Sequence, residues 1–432
     1  MKLSLEKVNK IILLAALIAL IYREGNFAVT FIPKPFETTL VLLCFSTLFF
    51  LLKNGKVKDF FASIPRNILI ALCVLIGSVF LGWFSAFLSG TPTSFNMILE
   101  LGTFLMGFAT FLLVLFYTKG DDGYAKRCLY ALLVPSIYAF LLFLPAGGYL
   151  GIDLNIQFLG FTVNPNTVAK ILLIPAMYFA VHLLFQSGNK WLKVLYIFLL
   201  SSMVSLVLWT GSRGGLLSLG AGLIFLLAIY IFRGFSWKKM FLGTGIIFTV
   251  FILGFGLLPR DRREPFAERV VFTFFHPSGA PVPAPRATAG ADANPKQDFE
   301  PAKAVAIKLV EPRLIIWPFY AGYVFSHPLG IGPNTHKNFR LVDNNGMPIN
   351  SGPHNTYLQI WLWGGVLGIL SFLFILFSGF KNLWNRLKIS FNKTDLALLS
   401  ILFALTVSFF FDDSLSFYWF FVILALALRE RG

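Results

Sequence analysis

Four side chains in this sequence have the type and setting for chemistry on a charged substrate: His354 and the arginines Arg213, Arg269 and Arg313. His354 stands in GPHNTYLQIWLWGGVLG, residues 352–368, just ahead of an apolar run that reads as a helix. The start of a helix carries partial positive charge and disfavours an imidazolium. A neutral imidazole held there can accept a proton, which is the work of a general base. The other reading of His354 is a capping or interfacial polar residue. Arg213 lies in WTGSRGGLLSL, between two apolar runs, with Ser212 able to cap the second. Open backbone N–H groups at such a helix start, with a guanidinium beside them, make a site for an anion. Alternatively, Arg213 snorkels toward lipid headgroups.

Arg313, in EPRLIIWPFY, has Trp317 and Tyr320 at helical spacing, as in an amphipathic helix at a membrane surface. It is either a ligand or part of that helix's solvated face. Arg260, Arg262, Arg263 and Arg269 alternate with Asp261, Glu264 and Glu268, a pattern that reads mostly as a self-neutralising solvated face. Arg269, beside the apolar VVFTF run, is the member kept as a phosphate ligand. His327 and His336 sit among prolines and glycines and read as turn residues. No HExxH or comparable spacing joins them into a metal site. Asp412 and Asp413, in FFFDDSLSFYWF, read as a hairpin turn with a capping aspartate, with a divalent-cation site as the other reading. Glu100, inside an apolar run, is an ionisable group at membrane depth, functional or paired.

The elements that must position these groups are set by composition. Of the 432 residues, 57% are hydrophobic and 13% charged, and the mean hydropathy is +0.75. A soluble globular chain is about 25% charged. The apolar residues fall in runs of about 17–25, enough to cross a hydrocarbon core as helices. A transmembrane barrel would alternate apolar and polar residues in segments of about ten. The expected fold is therefore an all-α polytopic membrane protein of about twelve spans. They lie near 9–24, 36–52, 67–89, 95–118, 126–146, 167–186, 192–211, 214–232, 239–259, 355–380, 394–411 and 414–428. The first run follows Lys2, Lys7 and Lys10 as a signal sequence would, but no small-residue cleavage site follows, so it reads as a retained span. Cys44, Cys73 and Cys128 lie in or beside spans, which argues against a disulfide framework or a Cys-based metal site.

The formal net charge of +16 is not a nucleic-acid signature, because the basic residues cluster in alternate short loops. With the N-terminus in the cytoplasm, Lys53, Lys56, Lys58 and Arg66, then Lys119, Lys126 and Arg127, then Lys190 and Lys193 all fall inside. So do Arg233, Lys238 and Lys239, Lys381, Arg386, Lys388 and Lys393, and Arg429 and Arg431. Both termini are then cytoplasmic, and the loop 260–354 lies on the outer face, the periplasm if the cell is Gram-negative. The chain divides into spans 1–9 (1–259), a large loop (260–354) with short helices and a mobile Pro/Ala-rich stretch at 276–303, and spans 10–12 (355–432). A long outer loop of this kind usually carries function.

Three stretches together resemble the O-antigen ligase and polymerase superfamily. They are Arg213 in RGGLL, residues 313–334 (RLIIWPFYAGYVFSHPLGIGPN), and HNTYLQIWLWGGVLG. The last fits the ligase pattern through His354, Asn355, Gly365 and Gly368. The order of about twelve spans, with a large outer loop between the ninth and tenth, is also similar. The resemblance implies a membrane glycosyltransferase related to the GT-C class, acting in the bacterial inner membrane. Its donor would be a glycan on undecaprenyl diphosphate and its acceptor the lipid A core. The transfer would invert the anomeric centre and need neither metal nor other cofactor. It further implies that Arg213, Arg313 and Arg269 bind the diphosphate and that His354 acts on the acceptor. The alternative within the superfamily is a polymerase using the same donor. No P-loop is present, in keeping with energy drawn from the activated lipid.

Overall fold

The computed structural model describes residues 4–23, 35–88, 95–134, 157–158, 161–162, 165–185, 189–233, 236–258, 263, 312–333, 352–412 and 417–430. Helices dominate them. In chain order they are α1 (Leu5–Arg23), α2 (Pro35–Lys53), α3 (Val57–Ala62), α4 (Arg66–Leu88), α5 (Phe95–Thr118), α6 (Asp122–Ala131) and α7 (Pro165–Phe185). Next come α8 (Lys190–Trp209), α9 (Arg213–Phe232), α10 (Trp237–Leu257), α11 (Pro312–Ser326), α12 (Thr356–Ile389), α13 (Lys393–Ser408) and α14 (Tyr418–Leu428). A two-residue ladder pairs β1 (Gln157–Phe158) with β2 (Phe161–Thr162), antiparallel.

Among the described residues, eight helices are long and apolar enough to cross a membrane: α2, α4, α5, α7, α8, α9, α10 and α12. The fold is a polytopic all-α membrane protein. Three further expected spans fall short of that measure. Lys7, Lys10 and Glu6 charge the first turns of α1, while α13 has 16 residues and α14 only 11. The expected span at 126–146 runs beyond the described residues after Leu133 and Val134.

Burial separates interior helices from peripheral ones. Every residue of α14 is buried, and 83% of the α7 span is, against 17% for α10. The exposed side chains of α2 and α10 are mostly apolar, including Phe45, Phe49, Phe241 and Phe248, as expected of surfaces that meet lipid tails. Helix α12 packs against α4 along most of its length and also touches α13 and α14; α7 packs on α8, α9 and α13.

The α4–α12 contact is close because the facing residues are small. Gly364 and Gly368 lie against the Ser78 hydroxyl, and Gly82 lies against the Trp363 carbonyl. Without a hydrophobic drive between helices in lipid, such near approach of backbones is what holds spans together. Helix α12 breaks at Gly365, whose φ is 63°. The break frees backbone groups, and the turn after α11 takes them up. Ile331 N–H donates to Leu362 O at 2.6 Å, Gly332 N–H to Trp363 O at 3.2 Å, and Val366 N–H to Pro328 O at 2.9 Å. The turn sequence HPLGIGP is thus bound into the broken helix as a short, ladder-like seam. A Cβ on Gly365 would overlap the Pro328 carbonyl oxygen, and one on Gly332 would come within 2.5 Å of Trp83 Cα.

Candidate active site

Two helix starts carry the central candidates. Arg213 is the first residue of α9, and it is exposed. Ser212 caps that helix as expected, its Oγ accepting from Gly215 N–H at 3.0 Å. The same hydroxyl donates to Asn166 Oδ1 at 2.7 Å, and Ser212 N–H donates to Thr210 Oγ1 at 3.1 Å. The start of α9 is therefore fixed from below by the α8 end and from the side by α7. Gly215, against Ala169 Cβ, lets α7 and α9 approach closely at this point.

His354 lies two residues ahead of α12 and is half-buried. The capping role belongs to its neighbour: Asn355 Oδ1 accepts from Tyr357 N–H at 3.0 Å and Leu358 N–H at 3.1 Å. The capping reading of His354 is thus set aside, and Asn355 gains a physical reason for its place in the motif. His354 has φ of 45°, the one non-glycine residue in the left-handed region among those described. That conformation is uncommon outside glycine, although histidine, like asparagine and aspartate, adopts it more readily than most, and backbones of this type gather at functional sites. Pro353, immediately before it, accepts from Trp317 Nε1 at 3.0 Å. This bond ties α11 to the His354 segment. Arg313 is one helical turn before Trp317 on α11, but its side chain lies outside the described residues. On α11 the buried row is Ile316, Tyr320 and Val324, while Phe319 and Phe325 are exposed, so the helix carries apolar residues on both its inner and its outer face.

The two helix starts share one turn. Thr356 N–H donates to Phe409 O at 2.8 Å, and Thr356 Oγ1 donates to Asp412 O at 2.7 Å. On the other side of that turn, Gly214 packs against Phe411, leaving no room for a larger residue beside Arg213. The turn at 409–412 is thus wedged between the first residues of α9 and of α12. It is locked by an ion pair: Lys170 Nζ lies 2.5 Å from Asp412 Oδ2, with side-chain exposures of 4% and 14%. Lys170 is one turn after Asn166 on α7 and also lies over the Phe417 ring, 5.1 Å from its centroid.

Lys170 escaped the sequence reading, although the rule applied to Glu100 covers it equally: an ionisable residue inside an apolar run. The capping role expected for the acidic pair is corrected. Helix α14 begins only at Tyr418, after Phe417, with no side-chain cap, and Asp412 instead partners Lys170. Asp413 lies outside the described residues, as do Arg260, Arg262, Arg269 and His336. Arg263 has a use that the self-neutralising reading of its cluster did not include. Its Nε donates to Leu258 O at 2.8 Å and its Nη2 to Gly256 O, so it satisfies carbonyls at the end of α10. His327 is a turn residue as expected, its carbonyl accepting from Gly330 N–H and its ring stacked on Tyr323 with centroids 4.0 Å apart.

Residues 195–373 match the family described as O-antigen ligase. The match covers less than half of the chain and supports membership of the O-antigen ligase and polymerase family. The match runs from within α8 into α12. It therefore spans Arg213, Arg313, His354, Gly365 and Gly368, and leaves Lys170 and Asp412 outside. No curated protein matches the chain. The match supports a glycosyltransferase-like role in O-antigen processing, and the apolar helices are in keeping with a multi-pass protein of the bacterial inner membrane. The family implies a lipid-linked glycan donor and a lipid A-core acceptor.

Proposed function

We propose that this O-antigen family member is the ligase: it transfers a glycan from undecaprenyl diphosphate to the lipid A core, on the periplasmic face, without a metal. The observation that carries the reading is the shared turn at 409–412, which holds the starts of α9 and α12 together and so sets Arg213 and His354 on one side of the protein. The bond from Trp317 to Pro353 adds the helix bearing Arg313 to the same end.

The chemistry follows from those positions. A lipid diphosphate is a good leaving group, so the barrier lies chiefly in negative charge building on its bridging oxygen as the anomeric C–O bond breaks. Arg213, at a helix start whose N–H groups add to its charge, and Arg313 neutralise that charge in a preorganised setting. Arginine suits the task because its fork can hold two phosphate oxygens at once. Arg269 is the further diphosphate ligand in this proposal. The acceptor sugar hydroxyl attacks the anomeric carbon from the opposite face, and His354 takes its proton, an effect of about 10²–10⁴-fold. The left-handed backbone of His354 orients the ring, and Asn355 and Pro353 fix the backbone on either side of it. Gly365 and Gly368 serve this site indirectly, by seating the turn at 328–332 and α4 against α12.

Deletion of the gene tests the assignment. Bare core with free lipid-linked polymer is the expected result. Core capped by single repeats identifies the polymerase instead.

A further inference from the structure

A cavity of about 790 Å³ lies at the other end of α12, between its last turns, the start of α4 and the end of α14. Its lining changes character along α12. Along α12 it is lined by Phe374 and Phe377, then by Lys381, Asn382, Asn385 and Arg386, and then by Ile389; Asn67, Arg429 and Glu430 are also in the lining. Phe374, Phe377 and Ile389 are exposed at 43%, 65% and 87%. In a membrane-spanning chain, such a surface faces lipid.

The charges of the polar stretch are mostly spoken for. Arg386 pairs with Asp395 at 3.2 Å and donates to the carbonyls of Leu426 and Arg429, each at 3.3 Å. Asn382 donates to Ala427 O at 2.8 Å. These bonds cap the open carbonyls at the end of α14. Arg429 pairs with Asp122, and Glu430 with Lys119 at 3.4 Å. Lys381 is different: it is exposed, and among the described residues it has no acidic partner. Asn385, one turn further along the same helix, and Asn67 at the start of α4 are also exposed donors. A cation without an acidic partner among the described residues, near two amides and one to two turns beyond the exposed Phe374 and Phe377, is the arrangement that receives a phosphate attached to acyl chains.

We propose that this cavity binds an anionic phospholipid of the leaflet opposite His354, with the phosphate on Lys381, Asn385 and Asn67 and the chains along Phe374 and Phe377. The site is separate from the transfer site and independent of which reaction occurs there. The test is native mass spectrometry of the purified full chain titrated with phosphatidylglycerol, with phosphatidylcholine and inorganic phosphate in parallel. Phosphatidylglycerol is expected to be retained in preference to phosphatidylcholine. Lys381→Gln should weaken its retention about fivefold, the effect of one basic charge near an anionic headgroup. Asn385→Leu should weaken it as well. Lys53→Gln, on exposed α2, should leave it unchanged. Both substituted positions in the cavity are exposed, and thermal unfolding of each variant in detergent checks that the fold is intact. Equal retention of the two lipids, an equal loss in Lys53→Gln, or displacement of the lipid by inorganic phosphate would overturn the proposal.

Discussion

At the scale of single residues, His354 and Asn355 divide the labour of one motif. Asn355 starts the helix and His354 is left to face outward on a strained backbone. Their substitutions should therefore fail differently. Replacing Asn355 with Ala removes two cap bonds and should cost about 1 kcal/mol of stability, read as a lowered unfolding midpoint in detergent. His354→Ala, at a φ of 45° that alanine tolerates poorly, should lower that midpoint modestly, while glycan transfer falls by about 10²-fold or more, beyond what the stability loss explains. Arg213→Lys should also lose most transfer, because an ammonium cannot hold two phosphate oxygens in a planar fork. Transfer at the unsubstituted rate in Arg213→Lys would mean that position supplies only charge. Asp121 offers a separate check on the opposite end of the fold. Its carboxylate caps α6 and is held below the usual carboxylate range, first by the Tyr124 N–H and also by Lys10. A lowered folded value means that its contribution is complete above the ordinary carboxylate pKa and is lost as pH falls through the lowered one. Asp121→Asn keeps a capping oxygen but cannot titrate, so it should flatten the acid limb of stability against pH.

At the scale of elements, two joints set the geometry. One is the seam between the turn at 328–332 and the break in α12. Gly365→Ala should lower stability by about 1–3 kcal/mol, since the added methyl meets the Pro328 carbonyl and the backbone sits at φ 63°. A helix that simply tolerated alanine at 365 would show the break to be dispensable. The other joint is Lys170 with Asp412. Replacing Lys170 alone with Met strands a mostly buried carboxylate and should cost about 3–5 kcal/mol. Pairing that change with Asp412→Leu should recover most of the loss, because removing both charges also removes their desolvation cost. The pair would then be a fastening rather than a substrate ligand. If instead the double variant is stable yet inactive, the charges serve the reaction itself.

At the scale of the whole molecule, the apolar runs made the fold legible. Helix positions followed from runs of Leu, Phe and Ile that leave no other way to satisfy a backbone in lipid. The cap at Ser212 was readable because a polar residue at the edge of such a run has one obvious use, whereas at the start of α12 two polar residues stand side by side and the cap falls to Asn355 rather than His354. The break at Gly365 was not readable, since nothing in WLWGGVLGIL separates a kinked helix from a straight one. What decides it is the turn at 328–332, which lies far away in sequence. Lys170 was legible in principle and passed over; its partner Asp412 is 242 residues away, and only folding brings the two together. The charge pattern also makes a prediction of its own. If both termini are cytoplasmic and 260–354 is periplasmic, a cysteine placed at Ala289 in a chain lacking Cys44, Cys73 and Cys128 should react with a membrane-impermeant maleimide in intact spheroplasts. One placed at Gly432 should react only after permeabilisation.

The central claim is that the arginine and histidine helix starts, joined by one turn, form a glycan-transfer site that needs only the activated lipid. Purified protein in vesicles, given undecaprenyl-diphosphate-linked O-antigen, lipid A core and a chelator, measures it directly. The account predicts glycan on the core with the unsubstituted protein and none above background with His354→Ala at equal folding. Full transfer by His354→Ala, or transfer by the unsubstituted protein only when metal or nucleotide is supplied, would contradict it.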